Sequence, residues 1–283
     1  MALTMAAGAG AGAQGADLDD ALFARLPAGR MTWAVGAVFA DRPRLAALQA
    51  RLADRISPAD NLVYLGNILG GGRDVLGTVR ELLLFRCQRL ADRCGEDAGA
   101  IAFVRGSQEH MWLKLLQLHL AARPREVLDW MLAQGVGATL EAYGGRVPEA
   151  VVAANGGSLA LSRYVSRLRV AMQAHDGHRQ LLSALKRAAY TADNSLLFVS
   201  AGLDPNLPPT SQDDNFWWND AGFSRLDSPY AGFARVVRGF DGSHRGVTET
   251  PVAVTLDGGC GFGGQLVAGA FDATGALVDR IEV

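Results

Sequence analysis

The sequence predicts an α/β fold, and three observations carry that prediction. Short apolar runs recur at residues 32–38 (TWAVGAV), 61–65 (NLVYL) and 100–105 (AIAFVR). Each is followed by a glycine-containing loop and then by apolar residues at helical spacing. Hydrophobic residues make up 49% of the 283 positions and charged residues 20%, a composition that supports a packed core. Three strand–loop–helix units in series place functional loops at the C-terminal ends of strands.

The elements follow in order. Residues 1–15 are Ala/Gly low complexity and residues 16–30 add a short amphipathic stretch, so residues 1–30 read as a flexible N-terminal extension and 31–283 as a single domain. The extension lacks the basic n-region and leucine-rich h-region of a signal peptide. Residues 44–56 and 74–94 have helical spacing, residues 109–175 are mostly helical around a turn-rich TLEAYGG (139–145), and 180–189 reads as a further helix. A strand is expected at 195–200 (SLLFVS), followed by a Pro/Asp/Asn-rich loop at 203–215. The runs ARVVR, VAVTL, QLVAGAF and ALVDRIEV between 231 and 283 suggest a second, mostly antiparallel sheet.

A formal net charge of −2 gives no basic excess for nucleic acid or anionic lipid, and no apolar run is long enough to span a bilayer. Cys87, Cys94 and Cys260 are odd in number and lack C-x-x-C spacing, which points to free thiols in a reducing cytoplasm. Only two basic residues are lysine, Lys114 and Lys186; with the abundant Ala and Gly, this arginine bias has the look of a high-GC bacterial genome.

The strand-end loops read AVGAVFA (34–40), LGNILGGG (65–72), RGSQEH (105–110), FVSAGLDP (198–205) and VVRGFD (236–241). In this order they resemble the loops of the calcineurin-like metallophosphoesterases, the bacterial serine/threonine protein phosphatase and dinucleoside tetraphosphatase type, which carry GD-x-HG, GD-x-VDRG, GNHE, HAG and GH-T. TLEAYGG, LDPNLPPTSQ (203–212) and LDGGCGFGGQL (256–266) resemble accessory segments of the same family. The resemblance spans residues 32–272. It implies a four-layer α/β sandwich with two mixed sheets flanked by helices.

It also implies where a two-metal centre would lie. The family's ligand positions fall on Ala37, Phe39, Asn67, Ser107, Gln108, Ser200 and Phe240, and none keeps the family's residue. Its phosphate-binding positions fall on Gly70, Gly71 and, with looser alignment, Asn219. Glu109, the supporting residue at the end of GNHE, is retained. Divalent ions need carboxylate, amide or imidazole ligands, and a charged cluster without its cations is costly, so neutral and apolar replacements fit a chain that no longer binds metal. Phe39 and Phe240 are both expected to face the former metal cavity.

No catalytic residue, metal or cofactor is therefore expected. The reading is a catalytically inactive phosphatase-like protein, a pseudophosphatase, with a protein partner or assembly of unidentified kind. The N-terminal extension and residues 203–230 are its candidate contact segments. Two alternatives stand beside it. One is a sensor of a phosphorylated or nucleotide-like ligand in the old cleft, near Arg73, Arg105 or Arg238. The other is a phosphoesterase whose unconventional site recruits Glu109, Asp74 or Asp241. His175 and His178 around Asp176 could nominally pair on a metal, although a structural or surface role is favoured, and His244 is expected in solvent. In NFWWND (215–220) the tryptophans are expected partly in the core, with one as a possible outward anchor.

Overall fold

The computed structural model describes residues 18–92 and 98–283. Cys94 and residues 1–17, the first part of the expected extension, lie outside the described residues. In chain order the elements are β1 (Phe23–Leu26), β2 (Thr32–Val35), α1 (Arg42–Ala53), β3 (Asn61–Tyr64), α2 (Val75–Ala91), β4 (Ile101–Phe103) and α3 (Ser107–Leu115). A helical layer follows: α4 (Pro124–Ala133), α5 (Gly137–Ala142), α6 (Val147–Asn155), α7 (Gly157–Gln173) and α8 (His178–Ala184). The second half comprises β5 (Ala188–Thr191), β6 (Leu196–Val199), α9 (Asn215–Trp218), α10 (Asp220–Phe223), β7 (Arg235–Arg238), β8 (Thr248–Glu249), β9 (Ala253–Thr255), β10 (Val267–Phe271) and β11 (Leu277–Glu282).

Two mixed sheets form, in the orders β1-β5-β6-β7-β9-β8 and β11-β10-β2-β3-β4. The alternation of side chains along each strand explains why they stack. In β2 and β3, Trp33, Val35, Leu62 and Tyr64 pack into a core shared with the helices, whereas Ala34 and Val63 point the other way. In β6, Leu196 and Phe198 join Ala34 and Val63 between the sheets, while Leu197 and Val199 pack outward with Phe216 and Phe223. The layers are thus helices, sheet, sheet, helices, the four-layer sandwich expected. Strands covered on both faces need apolar residues at every position, which is why the runs are nearly continuous.

Three expectations are corrected. First, residues 23–26 belong to the domain: β1 pairs parallel with β5, Phe23 opposite Ala188, and Phe23 and Leu26 are buried on opposite faces. Second, the helix expected over 180–189 ends at Ala184, and Ala188–Thr191 is a strand. Its alanines favour helix locally, but a place between β1 and β6, buried on both faces, overrides that preference. Third, the C-terminal runs do not make one sheet. β7 and β9 extend the first sheet in parallel, whereas β10 and β11 are the antiparallel edge of the second.

Candidate functional site

The strand-end loops meet at one end of the sandwich, tied by main-chain hydrogen bonds. The N–H groups of Val38 and Phe39 donate to the Asn67 carbonyl (3.1 and 2.7 Å), and that of Ala40 to Ile68 (2.9 Å). Ala37 donates to Gly239 (3.0 Å), and both Gly239 and Phe240 donate to Ser200 (3.0 and 2.9 Å). The Asn67 side-chain oxygen accepts from the Gln108 N–H and the Ser107 hydroxyl, each at 3.1 Å. All seven positions are therefore brought together, although nothing charged stands at any of them.

Glu109 fastens this assembly. It is fully buried and accepts from the backbone N–H groups of Asn67 (2.9 Å), Leu69 (2.8 Å) and Gly106 (2.8 Å). Burial pushes its carboxyl above the usual range, and the three backbone donors hold that rise back without cancelling it. One retained side chain thus satisfies donors from two loops.

At the centre, the Phe39 and Phe240 rings lie 5.3 Å apart, and Phe39 also meets Phe262 edge-on at 4.9 Å. Phe39 is buried; Phe262 is exposed. Phe39, Ala40 and Asn67 hold left-handed backbone (φ 48, 55 and 50°), a conformation that costs a non-glycine residue about 1 kcal/mol. The hydrogen bonds from Val38–Ala40 to Asn67 and Ile68 fix it.

Gly70, also at positive φ (118°), packs against Gln108: a Cβ there would sit 2.8 Å from Gln108 Cγ. Gln108 Nε2 then donates to the Gln134 carbonyl at 2.9 Å. Gly71 borders open space. Asn219 caps α10 by accepting from the Gly222 N–H (2.8 Å), and its carbonyl lies 2.0 Å from where a Cβ on Gly202 would be. Neither glycine nor Asn219 supplies a cationic group to this cleft.

The donor set does not fit a two-metal centre. Asn67 must turn its carbonyl to the Gln108 N–H, which leaves Asn67 Nδ2, a hydrogen-bond donor, buried without a partner. Ser200 Oγ and Gln108 Oε1 are also buried and unpartnered, but both are neutral. Among the described residues no three His, Cys, Asp or Glu side chains are grouped to hold a metal ion.

The acids considered for an unconventional site are engaged with structural partners. Asp74 caps α2, accepting from the Gly77 N–H (2.8 Å), and pairs with Arg42. Asp241 is buried beside Arg238 (3.2 Å) and Arg245 (2.8 Å). Burial raises its carboxyl, but the Arg245 hydrogen bond, the Ser243 N–H and Arg238 hold it below the usual carboxylate range. Arg238 also binds Asp220 and Thr255 Oγ1, so it is a structural cation.

The histidines divide. His178 is buried, with Nδ1 2.9 Å from the Tyr143 hydroxyl, and burial, then nearby His175, lower it to about 4. The expectation for His244 is corrected: it is half-buried, with Nδ1 2.9 Å from Asp257 Oδ2 and its ring 4.3 Å from Phe262. Sequence reasoning missed this His–carboxylate pair because the loop looked solvated, and only the aromatic neighbours close it off. Trp217 is buried, while Trp218 turns half outward towards Trp130, at 5.3 Å.

Comparison with known proteins adds the fold's relatives. No protein-family model matches the chain, and no curated protein matches it. Solved structures do. A structure described as a proposed diadenosine tetraphosphatase aligns over 93% of this chain and 98% of its own, with 21% identity and a TM-score of 0.56. A cold-active protein tyrosine phosphatase (11% identity, 92% and 80% coverage) and a serine/threonine phosphatase from Saccharomyces cerevisiae (12%, 92% and 84%) both have TM-scores of 0.51. At such identities the likeness establishes the fold: the chain has the metallophosphoesterase sandwich that its loops imply.

Proposed function

We propose that this protein is a phosphatase-fold module that binds a protein partner and does not hydrolyse phosphoesters. The observation that carries the reading is the phenyl pair Phe39–Phe240 among otherwise neutral residues where the fold would hold its ions. Two-metal hydrolysis needs anionic and imidazole ligands to fix the ions and lower the pKa of a bound water. Neutral amide, hydroxyl and phenyl groups supply neither function. An unconventional site built on Glu109, Asp74 or Asp241 is disfavoured, because each is committed to a structural partner.

The protein-binding half of the proposal draws on the surface. Leu120, Trp130 and Trp218 line one groove and remain 74, 47 and 38% exposed. Exposed tryptophans are common anchors in interfaces, and Trp218 lies in the 203–230 segment. No helix among the described residues is long and apolar enough to cross a membrane. The cytoplasmic setting inferred from the cysteines stays part of the proposal; Cys87 is exposed and Cys260 buried, both free thiols.

The test is metal analysis of the purified full chain with turnover of p-nitrophenyl phosphate and diadenosine tetraphosphate. Sub-stoichiometric Mn, Fe and Zn with no chelator-sensitive turnover is expected. Stoichiometric metal, or hydrolysis abolished by EDTA, would refute the inactive reading. Co-purification from the native cell, compared between wild type and Trp218→Ala, tests the partner. Loss of one stoichiometric protein with the tryptophan is the expected result.

A further inference from the structure

We propose that Arg105 and Arg187 form a binding site for the phosphoryl group of a small phosphomonoester, outside the old metal cleft. The placement follows from the fold. A parallel bridge joins Val104 to Lys186, with Lys186 N–H donating to Phe103 (2.8 Å) and Arg105 N–H to Lys186 (2.7 Å). The residue after each bridge partner is an arginine, so register sets Arg105 and Arg187 opposite one another, close enough for Arg187 to act on Arg105 electrostatically. They line one cavity of about 530 Å³, together with Trp217 and His110 but with none of the seven former ligand positions.

The two cations are poorly compensated. Their guanidinium carbons lie 5.8 and 5.7 Å from the centre of the buried Trp217 ring, and each Nε is buried without a partner. Arg105 makes no side-chain hydrogen bond or ion pair among the described residues. Arg187 donates to the Asp213 carbonyl (2.8 Å) and faces its carboxylate at 3.6 Å, but that carboxylate is 88% exposed. An exposed pair of this kind contributes little.

Burial lowers the pKa of Arg105, Glu109 opposes that, and neighbouring Arg187 adds to it, as two adjacent like charges must. His110 stacks on Trp217 at 4.1 Å and is kept neutral by burial, so it adds no charge at neutral pH. Asp214, at 3.6 Å from His110, is a further acid at the exposed rim. A tetrahedral dianion accepting from the outer N–H groups of both forks would offset the repulsion between them. The cavity has room for a small organic group beyond the phosphoryl oxygens.

The measurement is thermal unfolding of the full chain with about 10 mM inorganic phosphate or phenyl phosphate, against potassium chloride of matched ionic strength. Both should raise Tm beyond chloride, phenyl phosphate more. Arg105→Gln should unfold, without ligand, no lower than wild type, and its phosphate affinity should fall at least tenfold; Arg187→Gln should lose the response equally. The proposal is overturned by a response no larger than chloride's, or by one that survives in Arg105→Gln. A ligand-free Arg105→Gln that is destabilised would make the guanidinium a structural stack on Trp217 and would also overturn it. A response to inorganic phosphate alone would overturn the ester assignment.

Discussion

Phe240 and its neighbours Arg238 and Asp241 meet at the end of β7 yet follow opposite rules. Arg238 and Asp241 are among the most deeply buried residues and keep their charges, because Asp220, Arg245 and each other answer them. Between them, Phe240 carries no charge and packs its ring against Phe39. Buried charge stands here where the chain itself supplies its opposite, and the neighbouring positions that lack such a partner are neutral.

The largest effect should come from breaking the charged half. Arg238→Met leaves Asp220 without its cation and Asp241 with Arg245 alone, and should cost about 3–5 kcal/mol of unfolding free energy in urea. A cost below about 1 kcal/mol would show that the network is not what holds this loop.

Glu109→Gln comes next. The carboxylate accepts three N–H groups through two oxygens, with Oε2 taking two of them. An amide keeps one acceptor and turns an NH₂ towards a remaining donor, so roughly 2–3 kcal/mol should be lost. An unchanged urea midpoint would mean that the loops are held by their main-chain bonds alone.

Asn67→Asp tests the neutral half with a smaller change. It would place a second carboxylate beside Glu109, whose Oε2 already binds the Asn67 N–H. A cost of about 1–2 kcal/mol is expected from like-charge repulsion and desolvation. Millimolar Mn²⁺ should not recover it, since Ala37, Phe39 and Phe240 still offer no ligand. Recovery by Mn²⁺ would show that the centre is one residue from binding metal.

How much of this was legible follows from what each feature depends on. β2, β3 and β4 stand out because both their faces are covered, which forces continuous apolar runs. β1 is only FARL, with Ala24 and Arg25 less buried than its ends, and nothing local marks it as a strand. β5 is hidden by alanines that favour helix until β1 and β6 enclose them. That the strand-end loops meet could be read from their glycines and their order. Glu109 could be found too, but not its hold on Asn67 and Leu69, which lie 42 and 40 residues away. The Arg105–Arg187 and His244–Asp257 pairs were invisible, since only the bridge between sheets and the aromatic rim bring their members together.

The smallest effect lies in neither half of the loop comparison, and so marks where the protein's remaining acid sensitivity resides. Burial depresses His178, in the helical layer, and His110, beside Trp217, to about 4 from an ordinary 6.5. The unfolded chain therefore binds these protons first, and stability is lost as pH falls from about 6.5 to about 4. His178 is buried and His110 only slightly exposed, and each should cost about 1 kcal/mol over the first pH unit below 6.5. Asp241, held low by its arginines, adds to the loss only below the ordinary carboxylate range. The drop in Tm between pH 7 and pH 4.5 should be smaller in His178→Gln than in wild type. Equal drops would place the sensitivity elsewhere. A drop confined to variants carrying Asn67→Asp would return it to the loops around Asn67, against the division drawn between them and the buried ion pairs.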